Sequence, residues 1–212
     1  MTTLSKYKNQ YYPVKYFLSS YRALSDGEAG IGYLEDCINK NSLIISEWKV
    51  LWIGSCTILR TAIDLFKQDK KICISSDLRK SIANEWENIS SCKDQHAVFW
   101  KFLRHERNNI LHEYKWNTYE TWMSDKGETV DKEISLLSIP PENHKSVLIM
   151  KNGHYEGQDA LDLIKQSSEW VRERIYSAIA NAGLDPEEKR NAWNFSPKPK
   201  NGETETLPTL LT

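Results

Sequence analysis

Seven apolar side chains, Ile45, Trp48, Trp52, Cys56, Leu59, Ile63 and Phe66, recur at steps of three and four residues. That spacing puts them on one face of a 3.6-residue helix and predicts a helix over about 43–68. A helix with so much aromatic bulk along one stripe is stable only when the stripe is buried against other elements. It is therefore read as the spine of a core, and its tryptophans as packing groups. A chain of 212 residues can bury roughly 70% of its unfolded surface in one domain, enough for such a core without staples.

Other helices are expected around this spine. Pro13 is a good first-turn residue, and a helix is expected from there to about Ser25, where Asp26-Gly27 would break it. A loosely helical stretch follows, interrupted by Gly27, Gly30 and Gly32. A third helix is expected over 77–89, capped by Ser76 or Asp77 with Glu85 and Glu87 on its wet side. A fourth is expected over about 94–116, and a last long one over about 158–181, with Leu161, Ile164, Val171, Ile175, Ala178 and Ala182 on one face and Gly183 as its stop. Between these two, residues 127–157 change character. Glu133–Ile139 and Ser146–Met150 are β-branched and apolar runs broken by Pro140-Pro141, and Asn152-Gly153 is a strong hairpin signal. The expected plan is an all-α bundle over 1–183 with a small β-hairpin insertion before the last long helix. Residues 184–212 follow as a short helical turn near Asp185-Pro186 and a loose tail.

Composition narrows the function classes. Lys and Arg number 28 against 29 Asp and Glu, a net charge of -1. Such a balance argues against attachment to nucleic acid by bulk charge, though not against a local basic site. Cys37, Cys56, Cys73 and Cys92 are too far apart in sequence for a C-x2-C knuckle. His105 and His112 share a helical face about 10 Å apart along the axis, too far to bind one ion, and no H-E-x2-H pattern occurs. No metal or cofactor is expected. The N-terminal stretch lacks the apolar centre of a signal peptide, and no apolar run approaches the roughly 20 residues that span a bilayer. The expectation is a cytoplasmic protein with reduced thiols and no membrane association.

The segment KDQHAVFWKFLRHERNNILHEYKW carries the chemistry. One apolar stripe runs Trp100, Leu103, Ile110 or Leu111, and Tyr114, and by spacing Arg107 falls inside it. An arginine there needs an anion, a carboxylate partner such as Asp64, or a wet cleft. Arg60 and Asp64, one turn apart, can pair with each other or brace that arginine. A second stripe, Lys101, Arg104, Asn108, His112 and Lys115, is wholly polar. Arginine offers a planar fork suited to phosphate, and imidazole can move a proton near neutrality. Phosphoryl chemistry on RNA needs both.

Arg107-Asn108-Asn109-Ile110-Leu111-His112 resembles the R-x4-H signature of the HEPN superfamily (higher eukaryotes and prokaryotes nucleotide-binding), with its polar residue directly after the arginine. His112-Glu113-Tyr114 extends the likeness to the R-x4-H-x-Y form of HEPN toxins paired with nucleotidyltransferase antitoxins. The bare Arg-x4-His pair would arise by chance about 0.2 times in a chain of this composition, and the added Asn and Tyr lower that to the order of 10⁻³. The close match covers eight residues. The helical plan extends it loosely over about 13–183, while the β-insertion and the length depart from the compact toxins.

The resemblance implies a HEPN-like bundle and a metal-independent endoribonuclease acting as a homodimer, serving as a toxin or antiphage-defence effector. Two motif helices would face each other across the subunit interface and form one cleft. Arg107 would hold and polarise the scissile phosphate, and His112 would act as general base or acid for attack by the 2′-hydroxyl. Asn108 would orient the phosphate or the imidazole. Tyr114 would be the site at which an antitoxin adds AMP. Arg104, and more weakly Lys101 and Lys115, are candidate contacts to flanking phosphates of RNA. Two readings stand beside this one. The first is a non-catalytic HEPN-like module that binds nucleotide, nucleic acid or a partner protein, with Arg107 simply bridged. The second is an effector silenced by its own insertion or tail.

Overall fold

The computed structural model describes residues 13–39, 47–72, 75–129 and 144–188. After a 3-10 turn at Val14–Phe17, five α-helices are described: α1 Ser19–Asn39, α2 Glu47–Ile72, α3 Ser76–Ser91, α4 Arg104–Glu113 and α5 Ala160–Asn181. A π-helical segment, Val98–Leu103, leads into α4. Strands β1 (Thr118–Ser124) and β2 (His144–Met150) form a two-stranded antiparallel sheet between α4 and α5, with Thr118 opposite Met150 and Ser124 opposite His144. The protein is mostly helical with a small hairpin, as its periodicity predicts.

The spine lies where its stripe requires. Trp48, Trp52, Cys56, Leu59, Ile63 and Phe66 are all buried along α2. Ile45 and the predicted start of that helix lie outside the described residues. Helix α5 buries Leu163, Ile164, Val171, Ile175, Ala178 and Ile179, starts on Asp159, whose carboxylate accepts from the Leu161 and Asp162 amides, and stops at Gly183 with φ 75°. Helix α3 begins one residue earlier than expected, with Ser75 as its cap at 3.3 Å from the Leu78 amide.

Four expectations are corrected. The break at Asp26-Gly27 does not occur, because α1 runs unbroken through Gly27, Gly30 and Gly32. Two of these glycines serve packing. A Cβ on Gly27 would lie 2.8 Å from Leu59 Cδ2, and one on Gly30 would lie 2.8 Å from Ser55 Oγ, so missing side chains let α1 and α2 approach. Second, Glu85 is buried and not on the wet side of α3. Its carboxylate accepts from Arg174 of α5 at 2.9 Å, a charge-assisted bond that joins two helices. Third, the hairpin is built from β1 and β2, and not around Asn152-Gly153. Residues 151–158 instead form a tight return, with Gly157 donating to the Met150 carbonyl and Met150 donating to the Gln158 carbonyl, both at 2.9 Å. The apolar run at 133–139 lies outside the described residues, as does the tail from Ser196. Fourth, Asp185-Pro186 starts no helix among the described residues, which end at 188. The segment is a turn, with the Glu187 amide on the Asp185 carboxylate, and its Pro186 carbonyl accepts from buried Lys15 at 3.0 Å.

Asp69 shows how the bundle starts. It is wholly buried on α2, yet its two oxygens accept the Ser19 and Ser20 amides and the Ser20 hydroxyl, capping α1 from a neighbouring helix.

The glycine packing sets opposite expectations for one substitution type. Gly27→Ala gains about 1 kcal/mol of helix propensity but forces Leu59 out of place, at a cost of about 1–3 kcal/mol. Gly32 has nothing within 4 Å of an added Cβ. Chemical denaturation should therefore show Gly32→Ala more stable than the parent and Gly27→Ala less stable. A Gly27→Ala protein as stable as Gly32→Ala would remove the close-approach argument.

Candidate functional site

The phase of the motif helix differs from the expected one. Its core side is formed by Phe99, Phe102, Leu103, Glu106 and Ile110. Leu103 and Ile110 fit both phases, so spacing alone does not choose between them. A 3.6-residue period also does not carry through the π segment, where Arg104 donates to the Phe99 carbonyl five residues back. The charged residue inside the apolar stripe is consequently Glu106, at 1% exposure, and not Arg107.

Glu106 survives burial because it is satisfied. Its Oε1 accepts from the Trp52 indole N–H and from the Asn117 amide, each at 2.9 Å. Burial pushes its carboxyl above the usual range, and these two hydrogen bonds pull partly against that. The neighbouring Cys56 thiol is pushed well up by burial and by Glu106. This knot was not found from sequence. The signal that points to it is a carboxylate on the Phe99–Leu103 phase of the stripe.

Arg107 is half-buried and bonds to the next residue of its own helix, with Nη1 donating to Asn108 Oδ1 at 3.2 Å. It makes no ion pair with a carboxylate among the described residues. Asp64 is occupied instead by Arg60 of its own helix at 2.6 Å and by Lys67 at 3.3 Å. Asn108 and His112 lie one turn apart on one face, and His112 is exposed in the last turn of α4. The structure thus joins Arg107 to Asn108 and leaves His112 in solvent one turn further on.

Helix α4 ends at Glu113, short of the predicted 116, because Tyr114 takes a left-handed conformation with φ 51°. Its ring is 73% exposed and meets Trp116 edge-on at 5.8 Å. Leu111, one turn back, is also exposed. Trp100, in contrast, is held within the fold, with its indole N–H on the Ile89 carbonyl at 2.8 Å. The candidate phosphate contacts are surface groups. Arg104 lies over the Trp100 ring at 5.0 Å, Lys101 pairs with Asp94 at 3.3 Å, and Lys115 pairs with Glu113 at 2.8 Å. The last pair holds the Glu113 carboxyl below its usual range through the Lys115 hydrogen bond.

Among the described residues two cavities flank this helix, and neither is lined by Arg107, Asn108 or His112. The larger, about 450 Å³, lies beside the end of α4 and is walled by Trp48, Tyr114, Trp116 and Tyr119 with Lys49, Lys115 and Lys151. The smaller, about 300 Å³, brings His105 and His154 to one space with Lys101 and Glu106. They share Asn117 and Asn152. Neither was legible in the sequence, since each joins residues from helix, turn and hairpin.

The chain matches no family model, curated protein or solved structure. No group of three or more His, Cys, Asp or Glu suited to a metal ion occurs among the described residues, and no helix among them is long and apolar enough to cross a membrane.

The Glu106 knot makes a prediction with a definite sign. Glu106→Gln keeps an acceptor for Trp52 and Asn117 without a buried charge, and should match or exceed the parent in stability at pH 7. Glu106→Leu leaves two buried donors unpaired and should cost about 1–3 kcal/mol for each. Because the native carboxyl sits above its ordinary 4.5, the folded state takes up a proton before the unfolded chain does as pH falls. The parent should therefore gain stability relative to Glu106→Gln on acidification from that raised value down to 4.5. Denaturant midpoints across weakly acid pH check this, and a difference that stays flat would sink it.

Proposed function

We propose that this protein is a metal-independent endoribonuclease of the HEPN type, cleaving RNA by 2′-hydroxyl attack at a site completed by a second copy of the chain. The observation that carries the reading is the state of Arg107. Its guanidinium is half-buried, oriented by Asn108 and without a carboxylate partner among the described residues. A bridged arginine has spent its charge, whereas this one is held in place for an anion. His112, exposed one turn beyond Asn108, is accessible to a proton on a bound ribose. In this reading Arg107 polarises the scissile phosphate and His112 takes the 2′-hydroxyl proton as that oxygen attacks phosphorus. The P–O5′ bond breaks, the departing 5′-oxygen takes a proton from water, and the products are a 2′,3′-cyclic phosphate and a 5′-hydroxyl end. Neither of the two flanking cavities among the described residues is walled by the pair, and in this reading the opposite wall is supplied by the partner copy, with exposed Leu111 and Tyr114 beside the seam.

The biological role proposed with it is that of a cytoplasmic toxin or antiphage effector. The exposure of Tyr114 suits modification by a nucleotidyltransferase-type antitoxin. A second reading is a non-catalytic binding module, favoured by the absence of Arg107, Asn108 and His112 from the walls of the two flanking cavities.

The purified protein is expected to cleave single-stranded RNA in EDTA, leaving cyclic phosphate ends. Arg107→Ala and His112→Ala should each lower the rate by about 100-fold or more. Asn108→Ala should lower it less, since the arginine loses its brace and not its charge. Cleavage unchanged in both Arg107→Ala and His112→Ala would remove the site. No cleavage by the parent, with RNA still bound, would favour the binding module.

A further inference from the structure

The larger cavity beside α4 has the chemistry of a nucleotide site. Its walls carry four aromatic side chains and three lysines against one carboxylate, Glu120, which is itself engaged by the Ser146 hydroxyl. Lys49 stands between two indoles, with its ammonium 5.3 Å from the Trp116 ring centre and 5.8 Å from that of Trp48. Trp48 is 5% exposed, and its indole N–H is buried with no hydrogen-bond partner among the described residues.

The ligand class follows by exclusion. Flat π faces suit a flat partner, and base stacking tolerates any base because each has a π face. Lys49, standing between two of those faces, repels a cationic ligand and attracts an anionic one. A lipid or aliphatic peptide would meet the rings but bring no anion to the Lys49 ammonium, which has no carboxylate partner among the described residues. A nucleobase carrying a phosphate satisfies both halves, and 450 Å³ falls within the size range of small-ligand sites. The cavity is also reached from Tyr114 and Lys115, directly after the motif helix.

We propose that this aromatic and lysine-walled cavity binds one nucleotide, its base against Trp116 and its phosphate on Lys49, and that the nucleotide belongs to the single-stranded RNA engaged at the neighbouring motif. Only the source of the nucleotide rests on the ribonuclease reading. The chemistry of the cavity stands without it.

The test measures binding on the full-length His112→Ala protein, so that the probe stays intact. A 5′-labelled six-nucleotide single-stranded RNA and the four nucleoside 5′-monophosphates are titrated separately. Trp116→Ala and Lys49→Gln, each in the His112→Ala background, should weaken RNA binding by about tenfold, while Trp116→Phe keeps it. Thermal unfolding of each variant accompanies the titration, and Lys49→Gln removes charge without emptying the core. Monophosphate binding that is lost in the same variants would also support the cavity and would assign it to free nucleotide. RNA binding unchanged in both variants, or no binding of either probe to the parent, would overturn the proposal. Because turnover is not read, a failed binding test leaves the cleavage reading intact, and a failed cleavage test leaves this one intact.

Discussion

The carboxylate of Glu106 is the point on which the middle of the molecule turns. It is buried to 1% exposure, and it accepts from Trp52 on the spine helix and from Asn117 where the chain leaves α4. The Asn117 carbonyl in turn accepts from the Lys151 amide at 2.7 Å, tying the exit of β2 to the entry of β1. One buried charge thus sets the rotation of the motif helix on the core and the place where the hairpin begins. A buried carboxylate is costly, and it is tolerated here because both donors are held in place, Trp52 on the spine helix and Asn117 by its bond from Lys151.

That rotation decides what the rest of the motif can do. With Glu106 inward, its neighbour Arg107 falls at the margin of the core, half-buried and able to lean on Asn108. With Arg107 inward, as the alternative phase would have it, the guanidinium would need a carboxylate, and Asp64 is already taken by Arg60 and Lys67. The same turn-out brings Tyr114, Lys115 and Trp116 to the rim of the larger cavity.

Much of the fold was legible because apolar periodicity is a local signal. The α2 stripe and the run and stop of α5 needed no information from elsewhere in the chain. What escaped depends on partners far apart in sequence. Gly27 and Gly30 read as breakers until Leu59 and Ser55 are placed against them. Glu85 reads as solvated until Arg174 arrives from α5, and Asn152-Gly153 reads as a hairpin tip until β1 is paired with β2. In the motif region, the residues were visible as a pattern and the phase was not, since Leu103 and Ile110 serve either one. The cavities were invisible for the same reason, being assembled from α2, the turn after α4 and the hairpin.

Tyr114 has a further consequence. A left-handed backbone at a residue with a bulky side chain is disfavoured by about 1–2 kcal/mol relative to the right-handed form, and glycine would occupy the position freely. The chain carries that cost at a helix end where nothing about the turn itself requires an aromatic ring. Stability alone would select glycine there, so the ring is retained against the preference of its own backbone. Among the described residues the ring meets the edge of Trp116 and otherwise faces solvent and the larger cavity, so the strain holds an aromatic face open at the rim of that cavity.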